Sequence, residues 1–316
     1  MLIRIYLLLF FLINTYCHAA FAEPWFTGPL LAPSGKTVSE GHTDIEIYAF
    51  DTKNIGRFNR HWKMIHTPTS KTYHISPMLT YGVTDWLDFQ FSLPYAINRN
   101  QGQSSHHVGD TTALIGLQLF TQDKSSWRPD FRFTLQQIFT SGRYQQLNPA
   151  KKGTDGTGAG SYQSVLGLNF QYLAQFSDIH YLRSRLVLTY LLASNVNVKG
   201  LNTYGGNSTT NGSISPGNLT GVNLAGEFTL TKHWVAVMEG YYFNRNATKF
   251  HGFPGQSINN KVPVLGHANA QELSLAPAIE YNLNGHLGVI GGIWFAVRDK
   301  DSPDFISTVI ALNAYW

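Results

Sequence analysis

From position 86 to 95 the chain alternates apolar and polar side chains almost without error. Leu87, Phe89, Phe91, Leu93 and Tyr95 fall on one side, and Asp88, Gln90 and Ser92 on the other. Successive Cβ atoms of a strand point to opposite faces, so period two marks a strand with one apolar face. Just upstream, Tyr73, Ile75, Leu79 and Tyr81 oppose Thr72, His74, Ser76 and Thr80, with Gly82-Val83-Thr84-Asp85 as a tight turn between the two runs. That pattern predicts a hairpin. The same alternation recurs near 45–49, 113–119, 131–135, 166–172, 182–192, 222–230, 234–242, 273–281, 287–295 and 306–316, which makes twelve predicted strands.

The connections alternate as well. Short ones are predicted near 82–86, 121–128, 174–180, 231–234 and 282–286. Long polar ones are predicted near 52–70, 96–107, 141–160, 195–217 and 244–268, with a shorter one near 298–304. A transmembrane β-barrel has this asymmetry, with short periplasmic turns and long external loops. In hydrocarbon every backbone N–H and C=O needs a protein partner, so such a sheet must close on itself. The expected fold is all-β: a transmembrane antiparallel up-and-down β-barrel of about 12 strands over residues 41–316.

The apolar faces of these strands carry essentially no charge. The opposite faces hold Asp88, Arg132, Arg183 and Arg185, then Glu227, Glu239, Glu272 and Glu280, which are the expected lumen-lining groups. Tyr81, Tyr95, Tyr172, Tyr190, Tyr242, Tyr281 and Trp316 fall at or near strand ends on the apolar face, where an interfacial aromatic girdle belongs. The last strand alternates Ile306, Thr308, Ile310, Leu312, Ala314 and Trp316 and ends on an aromatic residue. Outer-membrane barrels commonly end this way, and the terminal strand makes the barrel-assembly machinery an expected partner. Pro77 and Pro277 fall inside predicted strands, each four residues before a girdle tyrosine.

Composition narrows the class. Of 316 residues, 43% are hydrophobic and 14% aromatic, and only 13% are charged, about half the usual charged share. Mean hydropathy is −0.14. After the N-terminus the longest apolar run is 287–297, short of the roughly 20 residues a membrane helix needs. The net charge of +4 comes without a dense Lys/Arg run, so nucleic acid is not an expected partner. Residues 1–22 read as a signal peptide: Arg4, an apolar stretch at 5–13, and cleavage after Ala22. Cys17, the single cysteine, would leave with it. Residues 23–40, with Pro24, Pro29 and Pro33, form a Pro-rich periplasmic lead placed to cover or enter a pore.

Two segments resemble an outer-membrane transporter-like family labelled for the MetA pathway of phenol degradation. They are Ile75-Ser-Pro-Met-Leu-Thr-Tyr-Gly-Val-Thr-Asp-Trp-Leu-Asp-Phe-Gln-Phe-Ser-Leu-Pro-Tyr95 and Val108-Gly-Asp-Thr-Thr-Ala-Leu-Ile-Gly-Leu117. The opening Pro24-Trp-Phe-Thr-Gly-Pro-Leu-Leu-Ala-Pro33 is similar to the Pro-rich lead of some members. The resemblance is clearest over 24–120, and its motifs specify hairpins and turns. It implies an outer-membrane barrel and aromatic or hydrophobic small molecules, and it carries over no site residues.

Candidate chemistry is sparse. His74-x-Ser76 puts an imidazole and a hydroxyl on one strand face, as a lipid-acting enzyme would need, but the longer motif of outer-membrane phospholipases is missing. His106-His107 and the Asp299, Asp301, Asp304 set lie in predicted external loops and lack the pattern of a zinc or calcium site. No catalytic, metal or cofactor-binding residue is assigned. Opposed acidic and basic arcs inside the barrel would either select dipolar solutes or pair and plug the lumen. Twelve strands lie between the filled eight-stranded and the water-filled sixteen-stranded barrel. The leading expectation is an outer-membrane porin-like channel that passes small molecules, hydrophobic or aromatic ones among them, by diffusion. Its expected partners are outer-membrane lipids and a small-molecule solute. The alternatives are a closed structural or adhesive barrel acting through its loops, and a lipid-acting outer-membrane enzyme.

Overall fold

Alternation along the chain is realised as one continuous antiparallel wall. The computed structural model describes residues 25–123, 127–257 and 261–316, so the signal peptide read at 1–22 lies outside the described residues. In chain order the strands are β1 (Thr43–Phe58), β2 (Met64–Thr84), β3 (Leu87–Ser92), β4 (Tyr95–Asn100), β5 (Gln103–Val108), β6 (Thr112–Phe120), β7 (Asp130–Ile138), β8 (Gln163–Gln175) and β9 (Tyr181–Ala193). There follow β10 (Val196–Lys199), β11 (Asn211–Ser215), β12 (Leu219–Thr229), β13 (Trp234–Arg245), β14 (Lys249–Phe253), β15 (Ala270–Asn282), β16 (Leu287–Lys300) and β17 (Pro303–Tyr315).

Twelve of these close the barrel in the order β1-β2-β3-β6-β7-β8-β9-β12-β13-β15-β16-β17. The first and last strands complete the ring, with Ile45 opposite Ala314 and Tyr48 opposite Ala311. Thr43 and Trp316 exchange both backbone hydrogen bonds, at 2.8 and 2.9 Å. Closure leaves no edge strand in the wall, as a lipid-immersed sheet requires. Ile75, Leu79, Phe89, Phe91, Ile115 and Leu135 are exposed, whereas Thr80, Asp88, Ser92, Leu114 and Thr134 between them are buried. The outer surface of the wall is therefore the apolar one.

The predicted long loops are more ordered than their polar composition implied. Segment 52–70 continues β1 and β2 beyond the barrel to a turn at Asn59–Lys63, where Trp62 has φ 63°. Segment 96–107 is the hairpin β4–β5, turning through Gln101 and Gly102 at φ 46° and 80°. Two consecutive positive φ values match the twist of the flanking strands. Segments 195–217 and 244–268 supply β10, β11 and β14, which form a separate three-stranded sheet. These strands are short, and their apolar residues Val196, Val198 and Ile214 form a small core of their own. Asp299 lies in β16 rather than in a loop, fully buried, and accepts from Leu273 N at 3.1 Å.

Each predicted strand proline sits at a break in a ladder. Pro77 falls where β2 changes partner, from Ile75 opposite Tyr95 on β4 to Met78 opposite Ser92 on β3. Pro277 falls where the β15–β16 register skips from Leu275–Phe295 to Ala278–Gly292. A residue without an N–H costs least where the ladder has no bond to lose.

Candidate functional site

The N-terminal segment ahead of β1 runs inside the barrel. Thr27 N donates to Glu280 Oε2 on β15 at 3.1 Å, and Asn282 Nδ2 donates to Trp25 O at 2.8 Å. Further along, Leu31 N and Ala32 N donate to Glu239 Oε2 on β13 at 3.2 and 2.9 Å, and Arg185 Nη1 on β9 donates to Ala32 O at 2.7 Å. Thr37 N then donates to Gln118 Oε1 on β6 at 2.7 Å, and Val38 N to Asp88 Oδ2 on β3 at 3.1 Å. One short segment can meet strands from around the whole ring only from within it. Both its ends lie at the short-turn end, near Tyr315 and Asp85, while Leu30 to Ala32 reach mid-strand residues. The segment is thus a loop occupying that half of the interior.

Backbone N–H groups in a dry interior need acceptors, and bonds to charged groups are the strongest available. Pro29 and Pro33 interrupt regular pairing in the segment, so side chains of the wall take the place of a strand partner. Apolar burial adds to this. Phe26 and Leu30 pack with Val235, Val237, Ala276, Ile290, Val309 and Ala311 in one core cluster. Burial of a Phe or Leu side chain is worth about 1.5–3 kcal/mol. Gly35 permits a close approach to the wall, because a Cβ there would lie 2.6 Å from Gln171 Cβ.

Seven of the eight charges expected in the lumen gather around this segment. Arg132 Nη2 lies 2.6 Å from Asp88 Oδ1, and both side chains are buried. Arg183 grips Glu227 with two bonds, through Nε at 2.6 Å and through Nη2. Arg185 Nε lies 3.3 Å from the same carboxylate, and Arg183 also covers the Phe26 ring at 4.3 Å. Glu239 and Glu280 accept from the segment as described. Glu272 stands apart towards the long-loop end, accepting from Ser302 Oγ at 3.2 Å. In place of two facing arcs, the basic and acidic groups form local pairs or hold the backbone. On the outer face Tyr81, Tyr95, Tyr190, Tyr242, Tyr281 and Trp316 are exposed, while Tyr172 is half-buried.

Two cavities open in the rest of the interior among the described residues. The larger, about 1020 Å³, lies between the segment and the inner faces of β1, β2, β3 and β6, against Tyr48, Phe50, His74, Ser76, Thr80 and Gln90. The other, about 870 Å³, opens among the long loops, against Asn54, Arg57, Asn98, Tyr204, Arg245 and His267. Thr72 lines both, so they adjoin at that residue. At the loop end, burial and the neighbouring guanidiniums of Arg57 and Arg245 lower the pKa of His267.

His74 and Ser76 do not form a catalytic pair. The His74 ring packs on Phe50 at 5.6 Å, and Ser76 Oγ is hydrogen bonded to Ser92 Oγ at 3.1 Å. Asp44, Glu46, Asn282 and Asn313 are among the interior polar groups that the strand pattern did not single out. Alternation gives no sign of which polar residues face a cavity.

No protein-family model matches the chain, and no curated protein sequence matches it. Among solved structures, the COG4313 outer membrane channel from Pseudomonas putida F1 aligns with a TM-score of 0.69 at 11% identity, covering 89% of this chain and 97% of that one. The β domain of the Bordetella autotransporter BrkA aligns at 0.47 and 9% identity, over 88% of this chain and 100% of that one. The NanC porin aligns at 0.44 and 9% identity, over 85% and 98%. At such identities the likeness is one of fold: this chain is similar in architecture to an outer-membrane barrel of matching length.

Proposed function

We propose that this protein is an outer-membrane channel that passes small molecules by diffusion, without covalent chemistry, between its N-terminal segment and the β1–β3 wall. The observation that carries the reading is the pair of cavities adjoining at Thr72, which leads from the long loops down to the short-turn end beside Asp44 and Tyr315. The apolar outer surface and the absence of a free wall edge support residence in the outer membrane. The exposed tyrosines and Trp316 then serve as its interfacial girdle. Rings of Tyr48, Phe50, His74 and Trp294 line the larger cavity and suit hydrophobic or aromatic solutes. The architecture shared with the Pseudomonas putida F1 channel fits the same reading.

Single-channel recording of the refolded protein in planar bilayers tests this. Discrete current steps are expected; no current at any voltage, with folding verified by heat-modifiable gel mobility, would sink it. A second reading, a closed barrel that works through its surface, draws on the ordered β10–β11–β14 sheet at the long-loop end. The same silent recording would favour it.

A further inference from the structure

Asp88 and Glu227 are matched by arginines, and the acids on β1 that line the larger cavity are not. Asp44 and Glu46 face inward near the short-turn end and line the larger cavity. Among the described residues neither has an ion-pair partner, whereas Asp88 is paired with Arg132, and Glu227 with Arg183 and Arg185. The cations that Glu46 meets across the cavity, Arg185 and Arg132, are those already engaged.

Asn313, opposite Glu46 in the β1–β17 ladder, lines the same cavity and is 5% exposed. Its Nδ2 donates to Glu46 Oε1 at 3.3 Å, and Tyr48 Oη donates to the same oxygen at 3.2 Å. That leaves Asn313 Oδ1 buried without a donor, and Asp44 Oδ1 is in the same position. A cluster of oxygens in a poorly solvated wall, with donors missing, is a site that lacks its positive charge.

We infer that Asp44, Glu46 and Asn313 form a station for a monovalent cation, either an alkali ion or the ammonium group of a small amine, on the passage through the barrel. This rests on the channel reading for its place on a pathway, though not for the binding itself. A carboxylate at this station attracts such an ion, and the oxygen ligands replace part of its hydration. The Tyr315 and Trp25 rings line the same cavity, and their faces would favour an organic ammonium.

Two measurements on the folded full barrel test it. In bilayers under a KCl gradient at pH about 8.5, the reversal potential should report a preference for K⁺ over Cl⁻. That preference should fall roughly tenfold in the D44N/E46Q double variant and rise in N313D. Calorimetry in detergent should detect saturable binding of benzylammonium, weakened roughly tenfold in D44N/E46Q, and no binding of benzyl alcohol. K⁺ preference without amine binding assigns the station to alkali ions. Amine binding without any current keeps the station and removes the channel. Equal K⁺ and Cl⁻ permeation with no amine binding overturns the proposal, as do selectivity and binding that both variants leave unchanged. Heat-modifiable mobility of each variant shows that it is folded.

Discussion

The two sides of the barrel interior treat polar groups in opposite ways. On the side of β9, β12, β13 and β15, arginines and glutamates are buried, paired and in contact with the N-terminal segment, and Phe26 and Leu30 complete a dry core. On the side of β1, β2 and β3, hydroxyls, an imidazole, aromatic rings and the carboxyl groups of Asp44 and Glu46 border a cavity of about 1020 Å³. Charge density alone would have marked the first side as the lining of the open space. The contrast shows that a buried ion pair inside a barrel can be a clamp, while open space lies along the other wall.

The sharpest way to break this contrast is to remove the clamped element. Deletion of residues 25–38 should raise single-channel conductance severalfold; an unchanged current would mean that the segment does not limit flow. Next comes the acceptor that Leu31 and Ala32 share. Glu239→Ala leaves their N–H groups unpaired and should cost about 1.5–3 kcal/mol of stability, read as a lower denaturation midpoint, together with noisier currents. Gly35→Ala forces a Cβ against Gln171. Overpacking of that kind costs about 1–3 kcal/mol and should produce the same noise more mildly. The smallest effect belongs to the other side: Phe50→Ala should increase conductance modestly and shift the denaturation midpoint less than Glu239→Ala does. If Phe50→Ala proved the more destabilising, the division into a clamp and a passage would fail.

Much of the wall was legible in the sequence because lipid imposes a period of two on every spanning strand. Turn chemistry and the alternation of short with long connections supplied its orientation. The strand extensions and the loop sheet escaped because that constraint ends where the lipid ends. Asp88, Arg132, Arg183, Arg185, Glu227, Glu239 and Glu280 could be named as inward polar residues, but their partners could not, since backbone groups of an irregular segment leave no pattern. One signal was present. The run 287–297 is apolar on both faces, and Ile290 on its inner face is fully buried in the cluster with Phe26 and Leu30. A strand with lipid outside and water inside would not read that way. Asp44 and Glu46 differ from Asp88 and Glu227 in lacking an arginine partner, and a sequence does not display a missing neighbour.

The position of the N-terminal segment also constrains the order of assembly. Its bonds to β13 and β15 join residues 207 to 257 positions apart, from Ala32–Glu239 to Trp25–Asn282. An early part of the chain therefore waits for strands far later in the sequence before its backbone is satisfied. Loop closure over such separations is slow, so the segment's bonds to β13 and β15 depend on contacts that form slowly. Damage to it should appear first as slow or incomplete folding, in chains whose strands are all intact.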